Sequence, residues 1–124
     1  MTHARLTLGQ AGEDAACCEL ERRGYEILAR RYRTRMGEID IVARDGRTVV
    51  IVEVKTRTSD KWGSPAEAVT PRKRAQVRRM ATDYLWRAGL LGEPCRFDVV
   101  SVRADASGRS REIEILPGAF SGGW

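Results

Sequence analysis

Two hydrophobic periods alternate along this chain. From Thr7 to Arg23, the residues Leu8, Ala11, Ala15, Ala16, Cys18 and Leu20 recur at helical spacing. They form a stripe of mostly small side chains suited to close packing on a sheet. Thr7 is placed to cap this helix and Gly24 to end it, which leaves residues 1–6 as a tail. Tyr25–Arg33 mixes Tyr, Ile and Leu with Arg30, Arg31 and Arg33 and reads as a first strand. Two β-branched runs then flank Asp45-Gly46, a strong hairpin signal. In the second run Val49, Val50, Ile51, Val52 and Val54 are apolar on both faces, the pattern of a central, covered strand. Thr70-Pro71 opens a second helix, in which Val77, Met80, Ala81, Tyr84, Leu85 and Ala88 form an amphipathic stripe that ends at Gly89. Cys95–Arg103 and Glu112–Leu116 read as two more strands, with Ala104–Arg111 and residues 118–124 as flexible segments.

This order, α-β-β-β-α-β-β, predicts one α/β domain over residues 1–124. A right-handed crossover through the second helix sets the Phe97 strand parallel to the Val52 strand, which gives a mixed five-stranded sheet with flanking helices. The length of 124 residues suffices for a core without staples.

The hairpin also carries charge. Asp40 interrupts its first run, and Glu53 and Lys55, two apart, share a face of the second. With Asp45-Gly46 as a two-residue turn, Arg44 pairs with Arg47 and Asp40 stands opposite Ile51, as a diagonal neighbour of Glu53 at roughly 7–8 Å. Two carboxylates so placed can hold magnesium or manganese, which prefer oxygen ligands. A lysine beside them can orient a water or stabilise charge on a phosphate. A salt-bridged sheet edge uses the same residue types. The doubly apolar strand argues against an edge, and buried carboxylates are costly unless paired or metal-bound.

Charge elsewhere points the same way. Basic residues number 22 against 17 acidic ones, for a net charge of +5, and the balance suits a polyanionic partner. Arg33 and Arg35 make a basic lip just before Gly37, and Arg57 follows Lys55. On the second helix Arg72, Lys73, Arg74, Arg78, Arg79 and Arg87 face only Asp83, a lopsided surface that favours a nucleic-acid backbone over plain solvation. Trp62, in the loop Thr56–Val69, either stacks on a base or pins that loop to the core. Glu13 lies three, four and seven residues before Ala16, Cys17 and Leu20, so it borders the buried side of the first helix. Spacing leaves it open between a solvated carboxylate and a site residue. Asp98 is open in the same way, between a structural ion pair with Arg96 and support for the site. Cys17, Cys18 and Cys95 lack metal spacing and read as reduced, mostly buried thiols of a cytoplasmic protein. No run approaches a membrane span.

Asp40, a spacer and Glu53-Val54-Lys55 together resemble the D…(D/E)xK signature of the restriction-endonuclease-like nuclease superfamily, PD-(D/E)xK. Four segments in order are more specific: Gly37-Glu38-Ile39-Asp40, Val52–Arg57, Trp62–Val69 and Arg96–Val100. They resemble the bacterial YraN-like family, which is similar to archaeal Holliday junction resolvases. The likeness runs from about Gly9 to Val102. It implies a restriction-endonuclease-like core and a metal-dependent endonuclease cutting DNA, in particular junction, flap or otherwise branched DNA. Asp40, Glu53 and Glu13 would be metal ligands and Lys55 a catalytic residue. The resemblance also implies a homodimer, and Lys73 matches a lysine of the family pattern. Where this chain has Arg31, the family usually has asparagine. Nucleic-acid contacts then fall to Arg33, Arg35, Arg57, Lys73, Arg74 and Arg78. The alternative is a non-catalytic nucleic-acid-binding module on the same fold, which has no need of the Asp, Glu, Lys trio.

Overall fold

Val49, Val50, Ile51 and Val52 are each within 1% of complete burial, which makes their strand the centre of the molecule. The computed structural model describes residues 2–57, 70–104 and 111–120. Seven elements follow in order: α1 (Thr2–Arg22), β1 (Glu26–Thr34), β2 (Gly37–Asp45), β3 (Thr48–Arg57), α2 (Pro71–Arg87), β4 (Cys95–Ala104) and β5 (Arg111–Phe120). They build one five-stranded sheet in sequence order, β1-β2-β3-β4-β5. β3 and β4 run parallel across the α2 crossover and the other pairs are antiparallel. The sheet is mixed and lies between two helices, as the hydrophobic pattern predicts. Among the described residues no helix is long and apolar enough to cross a membrane.

The helices cover opposite faces. α1 packs Ala16, Cys17 and Leu20 onto Ile41, Ala43, Val50, Val52, Val100 and Val102. α2 packs Val77, Met80, Ala81 and Leu85 onto Ile39, Val42, Val49, Ile51, Phe97 and Val99. β3 therefore contributes alternate side chains to two cores, which is why it reads as apolar on both faces. α2 starts where its cap predicts, with the Thr70 hydroxyl accepting the Lys73 N–H at 3.2 Å.

Several boundaries differ from the sequence reading. α1 begins at Thr2 rather than Thr7, and β5 continues to Phe120, so residues expected to be tails lie in regular elements. The buried stripe of α1 contains Cys17 and not Cys18, which is exposed. The hairpin turn is Gly46-Arg47, with Asp45 opposite Thr48 and Arg44 opposite Val49. Gly46 takes φ +62°, the left-handed geometry that a tight two-residue turn requires. This two-position change of register keeps the paired residues Ile41–Asp45 on their expected faces and, one step past the end of the ladder, brings Asp40 level with Glu53 rather than Ile51. Trp62 and the rest of 58–69, and the segments 105–110 and 121–124, lie outside the described residues.

Asp98 resolves as a structural ion pair. It is completely buried, accepts from Arg96 Nε at 3.0 Å and takes the Gly118 N–H at 3.0 Å. Arg96 also reaches Asp45 at 3.0 Å and the Tyr25 hydroxyl at 2.7 Å, tying β4 to the hairpin tip.

Gly12 sets how closely α1 approaches β3: a methyl group at this position would come within 2.1 Å of the Thr56 hydroxyl. A glycine inside a helix costs about 1 kcal/mol relative to alanine, and here the close approach is the return. Gly12→Ala is expected to destabilise the fold by about 1–3 kcal/mol through overpacking, read by denaturant unfolding. Adding Thr56→Ala should recover part of the loss, and no recovery would refute the contact. Asp98→Ala, which leaves the Gly118 N–H without its acceptor and Arg96 with Asp45 as its remaining carboxylate, is expected to cost about 1–3 kcal/mol in the same measurement.

Candidate active site

The site begins with a fault in the sheet's alternation. Ile39 packs under α2, whereas Ile41 and Ala43 pack under α1 and Val42 under α2, so β2 slips by one position between Ile39 and Ile41. β1 slips beside it. Tyr32 pairs with Ile39 and Arg30 with Ile41, which leaves Arg31 across from Asp40. Arg31 has φ +54°, unusual for a residue other than glycine. This left-handed residue puts two successive side chains, Arg30 and Arg31, on the α1 side. Asparagine tolerates that backbone better than arginine does.

The slip also frees Asp40 from ordinary strand packing. The β2–β3 ladder ends at Ile41 and Val52, and beyond it Asp40 Oδ2 accepts the Val54 N–H at 2.8 Å. A side-chain carboxylate takes the place of a backbone carbonyl in the fork where the two strands part. From there it is close to charges on both faces of the sheet.

On the α1 face, one carboxylate oxygen from each of Glu13, Glu38 and Asp40 lies within 4.8 Å of the other two. Glu13 is 8% exposed. Its Oε1 accepts from Arg30 Nη2 and Arg31 Nε, both at 3.0 Å. Glu38 accepts from Arg33 Nε at 2.8 Å. These residues line a cleft of about 400 Å³ together with Gly9, Gln10, Val54 and Thr56. On the α2 face, Glu53 is 9% exposed and meets two lysines, Lys55 at 3.6 Å and Lys73 at 3.9 Å.

The structure brings some of the expected site residues together and separates others. Asp40 and Glu13 come together, and the i, i+3, i+4, i+7 spacing that put Glu13 on the buried side is correct. Glu53 does not join them. Val52 and Val54 face α1, so alternation turns Glu53 and Lys55 towards α2, and Asp40 in the fork is what links the two groups. The third carboxylate of the cluster is Glu38, which the sequence reading missed. The signal was present, because Glu38 stands two residues before Asp40, as Glu53 does before Lys55. Of the expected nucleic-acid contacts, Arg33 lines the cleft and Arg35 stands just beyond it. Arg57 ends β3, and Arg74 and Arg78 sit half-buried on the first half of α2.

Electrostatics set Asp40 apart. Burial first, then the charge of Glu53, push its carboxyl up to about 7, against the favourable Val54 N–H, and Glu13 and Glu38 add to the rise. An oxygen-only set of converging carboxylates, one of them costly to ionise, fits a hard divalent cation such as magnesium or manganese.

The comparisons with known proteins agree with one another. The model of the uncharacterised protein family UPF0102 matches residues 12–102. The chain belongs to this family. It is 49% identical over 120 residues to a UPF0102 protein of Moorella thermoacetica, covering 97% of this chain and all of the relative. A UPF0102 protein of Pelotomaculum thermopropionicum is 42% identical over 120 residues, with the same coverage. UPF0102 protein STH1475 of Symbiobacterium thermophilum is 50% identical over 113 residues, 91% of this chain and 95% of that one. This is the YraN-like family to which the four segments pointed. The match starts at Gly12 and takes in Glu13, Glu38, Asp40, Glu53, Lys55 and Lys73.

The raised Asp40 fixes a pH dependence. Between the ordinary aspartate range and about pH 7 the folded chain keeps a proton that the unfolded chain releases. Stability is therefore highest below that window and falls as pH rises through it. Asp40→Asn keeps an acceptor for Val54 and removes the charge. It is expected to be more stable than the parent by about 2 kcal/mol near pH 8, a gain that shrinks towards pH 4. Thermal melts across this range decide it, and a pH-independent difference would refute the raised carboxyl.

Proposed function

We propose that this protein is a metal-dependent endonuclease that hydrolyses phosphodiester bonds in DNA. The observation that carries the reading is the fork. Asp40 stands between a carboxylate pair, Glu13 and Glu38, on one side and Glu53 with Lys55 and Lys73 on the other. The D…ExK order of Asp40, Glu53 and Lys55 supports the same chemistry.

Asp40 and Glu13, with Glu38, would hold magnesium or manganese on the α1 side, and Glu53 would bear on it from across Asp40. A divalent cation supplies polarisation of the phosphoryl oxygens and a bound water of lowered pKa. Lys55 is the group suited to orient the attacking water or to offset charge on the phosphate. Glu53 holds it at 3.6 Å, which keeps the ammonium beside the fork. Lys73 brings a second positive charge to the same carboxylate from the first turn of α2. Arg31 and Arg33 line the cleft and would meet backbone phosphates, which give shape preference rather than base readout. A preference for branched DNA rests on the resemblance to junction resolvases, as does assembly into a dimer.

Cleavage of labelled duplex, single-stranded, flap and four-way-junction DNA with magnesium, manganese or EDTA tests the reading. Cutting is expected with either metal, none in EDTA, and a loss of at least about 100-fold for Asp40→Ala and Lys55→Ala. Salt-sensitive binding without cutting, unchanged in both variants, would instead favour the non-catalytic binding module.

A further inference from the structure

A second cleft, of about 330 Å³, lies across the β1–β2 turn from the first, between that turn and the second half of α2. Arg33 lines both. The two differ in charge. The first brings together Glu13, Glu38 and Asp40 against Arg31 and Arg33, whereas the second sets Arg33, Arg35 and Arg87 against Asp83 alone.

Asp83 is already committed. It accepts from the Tyr32 hydroxyl at 2.5 Å and from Arg87 Nε at 3.2 Å. Tyr32 also packs edge-on against Tyr84, with ring centroids 5.1 Å apart, so the wall between β1 and α2 is fixed. Arg33 and Arg87 each use their Nε, on Glu38 and Asp83. Their terminal nitrogens and the whole Arg35 guanidinium have no partner among the described residues. A preformed wall carrying forked donors, with its only acid neutralised, suits a phosphodiester oxygen pair.

We infer that this cleft binds a DNA backbone phosphate next to the one at the carboxylates, and that the strand passes between the clefts over Arg33. The inference rests on the proposed nuclease reading for its choice of ligand and extends it to the path of the strand. The contacts are to phosphate, so the cleft adds affinity without sequence preference. The path follows the β1 edge and the far end of α2, whereas the helix contacts expected from the sequence were Lys73, Arg74 and Arg78 near its start.

The test is fluorescence-anisotropy titration of labelled duplex DNA in EDTA over a series of salt concentrations, with the full chain and with Arg35→Ala, Arg87→Ala, Arg87→Lys and the double alanine variant. Arg35→Ala disturbs no contact among the described residues, so it is informative even if Arg87→Ala loosens Asp83. The double variant is expected to bind about 10-fold more weakly and to lower the salt slope by about 1–2 units, one per phosphate contact removed. Arg87→Lys should restore most of the slope. Unchanged affinity and slope in the double variant would overturn the inference, even if the parent cuts DNA. Reduced slope in a protein that cuts nothing with any metal would support the cleft and reject the nuclease reading.

Discussion

The site depends on one hydrogen bond, from the Val54 N–H to Asp40. A continued ladder would have given that donor to a backbone carbonyl of β2. By giving it to a carboxylate, the sheet opens a fork at the end of the β2–β3 ladder, beside its two-sided core, and closes it with a charge. Desolvation there makes the charge expensive, and the surrounding groups fall into place as responses to it. Glu13 and Glu38 on the α1 face and Glu53 on the α2 face add to that cost, and Lys55 and Lys73 in turn meet Glu53. The combination of an ionisation-averse aspartate with convergent oxygens is characteristic of functional sites rather than of sheet edges.

The fork in turn needs a local departure from regular geometry. Arg31 supplies it with a left-handed backbone, which costs on the order of 1 kcal/mol for an L-residue. The same departure brings Arg30 and Arg31 onto Glu13, so a helical carboxylate that is 92% buried is met by two guanidinium groups. Gly12 completes the arrangement, because only a residue without a Cβ lets α1 come near enough to β3 for Glu13 to enter. Strain and close approach meet around the carboxylates, while the sheet's two register shifts lie elsewhere, between Ile27 and Ala29 and between Phe97 and Val99.

How much of this could be read from the residues follows from which rules are local. Alternation and helical periodicity placed β3, α2 and the parallel β3–β4 pair, because burial on both faces leaves an unbroken apolar run in the sequence. Glu13 was legible as a residue on a buried helical face. Register was not, because Asp45-Gly46 and Gly46-Arg47 are both acceptable two-residue turns and only pairing across the whole hairpin chooses between them. The slip at Asp40 was hidden for a similar reason. Nothing in Ile39-Asp40-Ile41 announces two successive residues on one face, and the cause lies in Arg31 on the neighbouring strand. Hence Glu53 was assigned to the same side as Glu13, and Glu38 was overlooked. Cys18 was misjudged because small residues surround it on both sides of α1 and blur the stripe.

The order of the elements along the chain adds a consequence for folding. Every carboxylate of the candidate site comes from residues 13–53, and three of the four, Glu38, Asp40 and Glu53, sit on an uninterrupted meander. The other edge of β3 is paired only when β4 arrives, after the interval from Arg57 to Cys95. Local pairing is fast and the crossover is slow, so the acidic groups gather before the sheet that buries them is finished. Arg30, Arg31 and Arg33, carried by the same meander, bring compensating charge at the same moment. The arginines of β1 thereby serve the folding chain as well as the finished one, since they offset mutually repelling side chains while the sheet is still incomplete.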